Sequence, residues 1–258
     1  MDIASFFRTY YAPNNAVLAL VGDIDSEVAL EKVRQYFGRI PRQPEPPTVD
    51  LTELPQTEER RASYDDPLAR LARIDVAYHI PESLTADHDA LSVLATILSS
   101  GRSSRLYQAI VRDTQLGVNV GAFAVSNRGP SLFRLVGIAA PGADIGALET
   151  AIYNQIERIK VEPVEDWELA KARNGARRSF VSSLGSSLQR AITLSRYALF
   201  YDDPSLINSR AERVGAVSAE DLRRVASTYL NETNRSVIIT VPRPAGAQTD
   251  QVPGQENF

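Results

Sequence analysis

The sequence predicts an α+β fold: a mainly antiparallel sheet with helices on one face, preceded by the stub of a second, similar domain. Three observations carry this. A period-two run and an apolar hairpin come first, a series of helical stripes follows, and one apolar strand closes the order. Strands gathered ahead of helices are the mark of α+β rather than alternating α/β architecture. The opening residues then restate, in short form, the helix, polar turn and apolar strand on which the long remainder ends, at Tyr229-Leu230-Asn231 and Ser236 to Val241.

From the beginning, Phe6 to Phe37 reads as helix, the turn Tyr10-Tyr11-Ala12-Pro13-Asn14-Asn15, strand, Gly22-Asp23-Ile24-Asp25, helix. Val17 to Val21 is wholly apolar, as expected of a strand covered on both faces. Asp25 or Ser26 caps the next helix, Leu30, Val33 and Phe37 share one of its faces, and Gly38 and Pro41 stop it. So short a block cannot bury a core that offsets its chain entropy. Residues 1–40 are therefore assigned to the end of an otherwise missing first domain. Residues 41–57, with five prolines from Pro41 to Pro55, form a linker. A complete second domain occupies 58–243, and the polar tail 244–258 is expected to be disordered.

Within that domain Ile74, Val76, Tyr78 and Ile80 alternate with Arg73, Asp75, Ala77 and His79, giving a half-buried strand. A helix follows with Leu91, Leu94, Ala95 and Leu98 on one stripe, ended by Gly101. Ser103 or Ser104 starts another, with Leu106 and Ile110 inward. Val118 to Val125 and Leu132 to Ala140 make a hairpin across Asn127-Arg128-Gly129-Pro130. Leu148, Ile152, Ile156 and Ile159 form the next helical stripe. Pro163, Glu165 and Asp166 open a long helix where its N-terminal dipole favours them. Ser187 to Tyr201 is a further helix. Ser218-Ala219-Glu220-Asp221 resembles a capping box, weakened by Asp at N3, ahead of Leu222, Val225, Ala226 and Tyr229.

Composition narrows the function classes. A formal net charge of -4 argues against nucleic acid or anionic membrane as a main partner, and Arg177-Arg178 and Arg223-Arg224 read as solvated. No cysteine is present, which excludes disulfides and thiolate metal sites. No run reaches membrane-spanning length. The compartment stays open between periplasm and cytoplasm.

Three phrases together resemble the pitrilysin/insulinase family of zinc metallopeptidases, which includes the mitochondrial processing peptidase. Tyr10 to Asn15, an apolar strand and Gly22-Asp23-Ile24-Asp25 are similar to the close of that family's first domain. Tyr78-His79-Ile80-Pro81, Asp87-His88-Asp89-Ala90-Leu91 and Leu98-Ser99-Ser100-Gly101-Arg102-Ser103-Ser104-Arg105-Leu106-Tyr107 are similar to the opening of its second. The resemblance implies a LuxS/MPP-like metallohydrolase fold. It also implies paired domains around a chamber for unfolded peptide, and a homo- or heterodimer with a related subunit. Zinc would sit in the missing first domain on an inverted His-x-x-Glu-His helix, with the motif Glu as general base.

The chain itself lacks that chemistry. Its two histidines, His79 and His88, are nine residues apart, whereas a helical zinc pair needs a spacing of about three or four. His79-Ile80-Pro81-Glu82-Ser83 places His and Glu at the right offset, but Ser83 replaces the second His and Pro81 opposes a helix. His79 falls on the polar face of a strand and is read as structural or solvated; His88 is read as a surface residue. No metal, catalytic or substrate-binding residue is assigned, and no cofactor is expected in this chain.

Other constellations fail as well. Asp65-Asp66 and Asp202-Asp203 precede prolines and read as turn starters. Gly117-Val118-Asn119-Val120-Gly121 lacks the third glycine of a nucleotide loop and reads as strand. Asn231-Glu232-Thr233 and Asn234-Arg235-Ser236 match glycosylation triplets only formally. The family's substrate-holding Arg and Tyr align with Val111 and, seven residues on, Val118, so that pair is absent. Arg112 is one residue away, which on an α-helix is a turn of about 100°. The expectation is a C-terminal, non-catalytic part of a zinc metalloendopeptidase, forming chamber wall and subunit interface. The alternative is a stand-alone pseudoenzyme or structural partner subunit, as in the respiratory bc1 complex.

Overall fold

A computed structural model describes residues 2–243. The tail expected at 244–258 lies outside the described residues. Along the chain run α1 (Ile3–Tyr10), α2 (Ser26–Phe37), β1 (Arg60–Asp66), β2 (Arg73–Ile80), α3 (Ala86–Ser99), a π-helical turn (Tyr107–Asp113), β3 (Gly117–Ala124) and β4 (Ser131–Ala139). They are followed by α4 (Ile145–Val161), α5 (Asp166–Ser183), α6 (Ser187–Tyr201), α7 (Leu206–Ala216), α8 (Ala219–Tyr229) and β5 (Arg235–Pro242). Two units divide the described residues: 2–53 with 170–217, and 54–169 with 218–243.

The second unit holds the sheet, ordered β1-β5-β2-β4-β3. The β1/β5 pair is parallel and the others antiparallel, so the sheet is mainly antiparallel as expected. The alternation along β2 is realised residue by residue: Ile74, Val76, Tyr78 and Ile80 are buried, while Arg73, Asp75, Ala77 and His79 take the other face. Val237 of β5 and Leu135 of β4 sit beside Val76, which continues the buried stripe across three strands. α3, α4 and α8 cover this stripe, α4 lying against β2, β4 and α8. Leu91, Leu94 and Leu98 of α3, Leu148, Ile152 and Ile156 of α4, and Leu222 and Val225 of α8 complete the core. Burying each such side chain contributes roughly 1.5–3 kcal/mol. α4 approaches closely because Gly137 lies beneath it: a Cβ there would come within 3.1–3.3 Å of Ile74, Ile152 and Leu148.

Helix ends follow local chemistry. The Thr85 hydroxyl accepts from His88 N at the start of α3. Ser218 and Asp221 form a complete reciprocal capping box on α8, so Asp at N3 serves as well as the longer Glu. Asp66 and Asp203 accept from the backbone N–H two residues on, and Asp202 ends α6 at φ 54°. These are the turn roles expected of them.

Two elements were not foreseen. β1 reads Arg-Arg-Ala-Ser-Tyr-Asp-Asp, and as a sheet-edge strand with mostly exposed side chains it shows no alternation to detect. α7, Leu206–Ala216, follows the Pro204 turn and buries only Val214, so it lacks the long inward stripe that marks α3 and α4.

In the first unit one expectation fails outright. Val17 to Val21 is not a strand: it joins no ladder, and Val17, Leu18 and Leu20 are 40%, 56% and 51% exposed. An apolar run becomes a strand only where neighbouring strands take its backbone hydrogen bonds. α1 and α2 likewise bury no residue, although α2 keeps the predicted Asp25 cap and its end at Phe37. Phe6, Phe7, Tyr10 and Tyr11 stack on one another, with Phe7 and Tyr11 centroids 4.5 Å apart. The prolines of 41–57 lie in a stretch without helix or strand.

Candidate functional site

Chemistry was sought first at the histidines. His79 sits on the face of β2 away from the helices, opposite Leu132 of β4. His88 corrects the surface assignment: it is 1% exposed. Its place in the first turn of α3 suggested solvent, but the ring turns inward and Nε2 lies 2.8 Å from the Val125 carbonyl oxygen, fastening α3 to the residue after β3. Ser92 lies one turn on, its hydroxyl 3.5 Å from His88 Nδ1. That is too long for an activated nucleophile, and the hydroxyl already donates to the His88 carbonyl at 2.9 Å. The outer partner of the ring is a carbonyl where a triad needs a carboxylate. Among the described residues no three His, Cys, Asp or Glu side chains come together as a metal site. The donor set therefore does not fit zinc.

The segment aligned with the family's substrate clamp has an unexpected geometry. Tyr107–Asp113 winds as a π-helix, with Thr114 N bonded to the Ala109 carbonyl five residues back. This widened turn is rare and recurs at functional sites. The 100° rotation that separates Arg112 from Val111 on an α-helix is smaller here, because more residues share each turn. Even so, Arg112 is exposed and pairs with its neighbour Asp113 at 2.7 Å. Val118 is half exposed on the rim of β3. Gln115 takes the left-handed conformation at φ 54°, and Gly117 lets β3 start against the turn: a Cβ there would sit 2.9 Å from Ile110 Cγ2 and 3.1 Å from the Ile138 carbonyl.

β3 is an edge of the sheet, and a groove of about 370 Å³ runs between it and α3. Ser92, Ala95, Thr96, Ser99 and Phe123 line it. Thr96 donates to the Ser92 carbonyl, and Ser99 contacts the carbonyls of Ala95 and Ala122.

Charges in the sheet unit are spent on bracing. Arg105 holds Glu168 with two parallel bonds of 2.9 and 2.6 Å. Burial raises the Glu168 carboxyl, yet the Arg105 pairing outweighs it and keeps the group below its ordinary range. Glu59 behaves alike: burial raises it, while Arg235 and Arg61 hold it down. Arg61 also pairs with Glu149, Tyr153 donates to Glu149 at 2.6 Å, and Arg235 stacks 4.1 Å over the Tyr153 ring. Burial pushes Tyr78, beside Arg235, up to about 12. Asp87 is lowered chiefly by Arg224, which with Tyr229 ties α3 to α8. Sequence reading missed these braces because their partners lie far apart along the chain.

Comparison with known proteins places the fold in a family. The sequence model of the peptidase M16 inactive domain matches residues 1–176. The chain is 26% identical over 243 residues to the zinc protease PqqE of Helicobacter pylori, covering 93% of this chain and 54% of that one. It is 23% identical over 249 residues to a probable mitochondrial-processing peptidase subunit beta of Arabidopsis thaliana, covering 92% and 46%. A protease from Helicobacter pylori of known crystal structure superposes with a TM-score of 0.86 at 26% identity, covering 93% of this chain and 58% of that one. The chain thus spans about half the length of the curated relatives it matches. With over half its residues matched to the inactive-domain model and a shared fold, this chain belongs to the M16 peptidases and carries that family's inactive domain.

Proposed function

We propose that this chain serves as the non-catalytic part of a zinc metalloendopeptidase, forming wall of a peptide-enclosing chamber and subunit interface, with hydrolysis carried out on a His-x-x-Glu-His domain outside it. The observation that carries the reading is the unladdered apolar run Val17 to Val21, flanked by helices that bury nothing, ahead of a well-packed inactive domain. On this reading residues 1–40 end the zinc-type domain, 41–57 link, and 58–243 form the second domain. The zinc belongs to the first domain.

Unfolded peptide is the substrate of the assembled protein. Edge strand β3 with its groove suits an extended chain, since edge backbone groups accept another strand. A related subunit is the expected partner; the Arabidopsis relative is itself named as a subunit.

Reading the DNA ahead of codon 1 tests this. An in-frame His-x-x-Glu-His supports the proposal. A stop codon with no such motif favours the second reading, a stand-alone partner subunit.

A further inference from the structure

A second cleft lies wholly within the first unit, where α5 and α7 face each other. Its volume is about 570 Å³, and Ala170, Arg173, Asn174 and Arg177 of α5 meet Asn208, Ala211, Glu212 and Gly215 of α7 around it. Arg173 donates to the Val217 carbonyl beyond the end of α7, and the Arg210 guanidinium sits 5.9 Å from the Phe180 ring centre. With Arg173 against Val217 and Phe180 against Arg210 the two helices run antiparallel, and Arg177 and Glu212 both line the cleft.

Arg177 and Glu212 form no ion pair among the described residues. Arg173 Nε is buried without a hydrogen-bond partner, an uncompensated donor. Gly215 is the last residue but one of α7, and a Cβ there would meet nothing within 4 Å. Packing does not require this glycine, and its absence of a side chain keeps the cleft open.

We propose that this cleft binds a small zwitterion, a free amino acid or dipeptide. Its carboxylate lies with the exposed Arg177 guanidinium, its ammonium with Glu212, and the Asn174 and Asn208 amides flank it. Planar guanidinium groups suit a carboxylate, and the volume falls in the ordinary range for small-molecule sites. The inference rests on α5 and α7 alone, so its failure leaves the peptidase reading untouched.

Isothermal titration calorimetry on the full chain tests it with alanine, alanyl-alanine, N-acetyl-alanyl-alanine, alanyl-alanine amide and inorganic phosphate. One free-ended ligand should bind per chain, and the preferred length separates amino acid from dipeptide. Blocking either end should weaken binding about tenfold or more, the size of a lost charged hydrogen bond. Arg177→Gln should weaken free and acetylated dipeptide alike, whereas Glu212→Gln should weaken only the free form. Gly215→Leu should abolish binding without lowering the melting temperature. No heat with either free-ended ligand, equal binding of the amide, or phosphate binding as tightly as the dipeptide would overturn the proposal.

Discussion

Arg105→Ala should be among the most damaging single substitutions in the sheet unit. Arg105 and Glu168 are joined by two bonds, and their side chains are only 11% and 9% exposed. Removing the guanidinium leaves a nearly buried carboxylate with one remaining contact, the Glu165 backbone N–H at 3.1 Å. Breaking a buried pair from one side costs about 3–5 kcal/mol. The lower figure applies here, because Arg105 Nη1 is itself unpartnered and the native arrangement is imperfect. At about 2–4 °C per kcal/mol for a domain of this size, a loss of about 3 kcal/mol lowers the melting temperature by about 6–12 °C.

Thermal unfolding followed by circular dichroism reads this directly, and Glu168→Gln with the double variant completes a cycle. The double variant should be less destabilised than the sum of the singles. The pH dependence has a fixed sign: Glu168 is held below its ordinary 4.5, so the pair stabilises above that pH and loses its effect as pH falls through the folded value. The gap between wild type and Arg105→Ala should therefore narrow in acid. A melting temperature within about 1 °C of wild type, or strictly additive singles, would refute the reasoning.

Asp87→Asn should cost about 1 kcal/mol, a modest figure because Arg224 is nearly half exposed, with calorimetry as the check. The same change should bring the Tyr229 phenol down from about 12, where burial and then Asp87 hold it, as read by alkaline absorbance titration. Because that raised value favours the neutral phenol, the stability it contributes is complete at neutral pH and declines as pH climbs past the ordinary 10. Gly117→Ala should destabilise by about 1–3 kcal/mol through overpacking against Ile110 and the Ile138 carbonyl, measured by urea unfolding.

Wherever a segment's pattern repeats within its own span, the sequence was a sufficient guide. β2, the β3/β4 hairpin, the stripe of α4 and the cap of α8 all lie where their spacing put them. The chain became illegible where a partner elsewhere decides the outcome. Val17 to Val21 has strand composition without a ladder, and β1 has a ladder without strand composition. His88 shows the same limit at a single side chain, since only the approach of Val125 tells its buried ring from an exposed one. The π-helical turn at Tyr107–Asp113 left no readable signal, because Leu106 and Ile110 would both face inward on an α-helix too.

The central claim is that this chain shapes a peptidase without holding its metal. Metal analysis of the purified 258-residue chain after equilibration with zinc tests it most directly. The account predicts no stoichiometric zinc retained through gel filtration. One tightly held zinc per chain would contradict it.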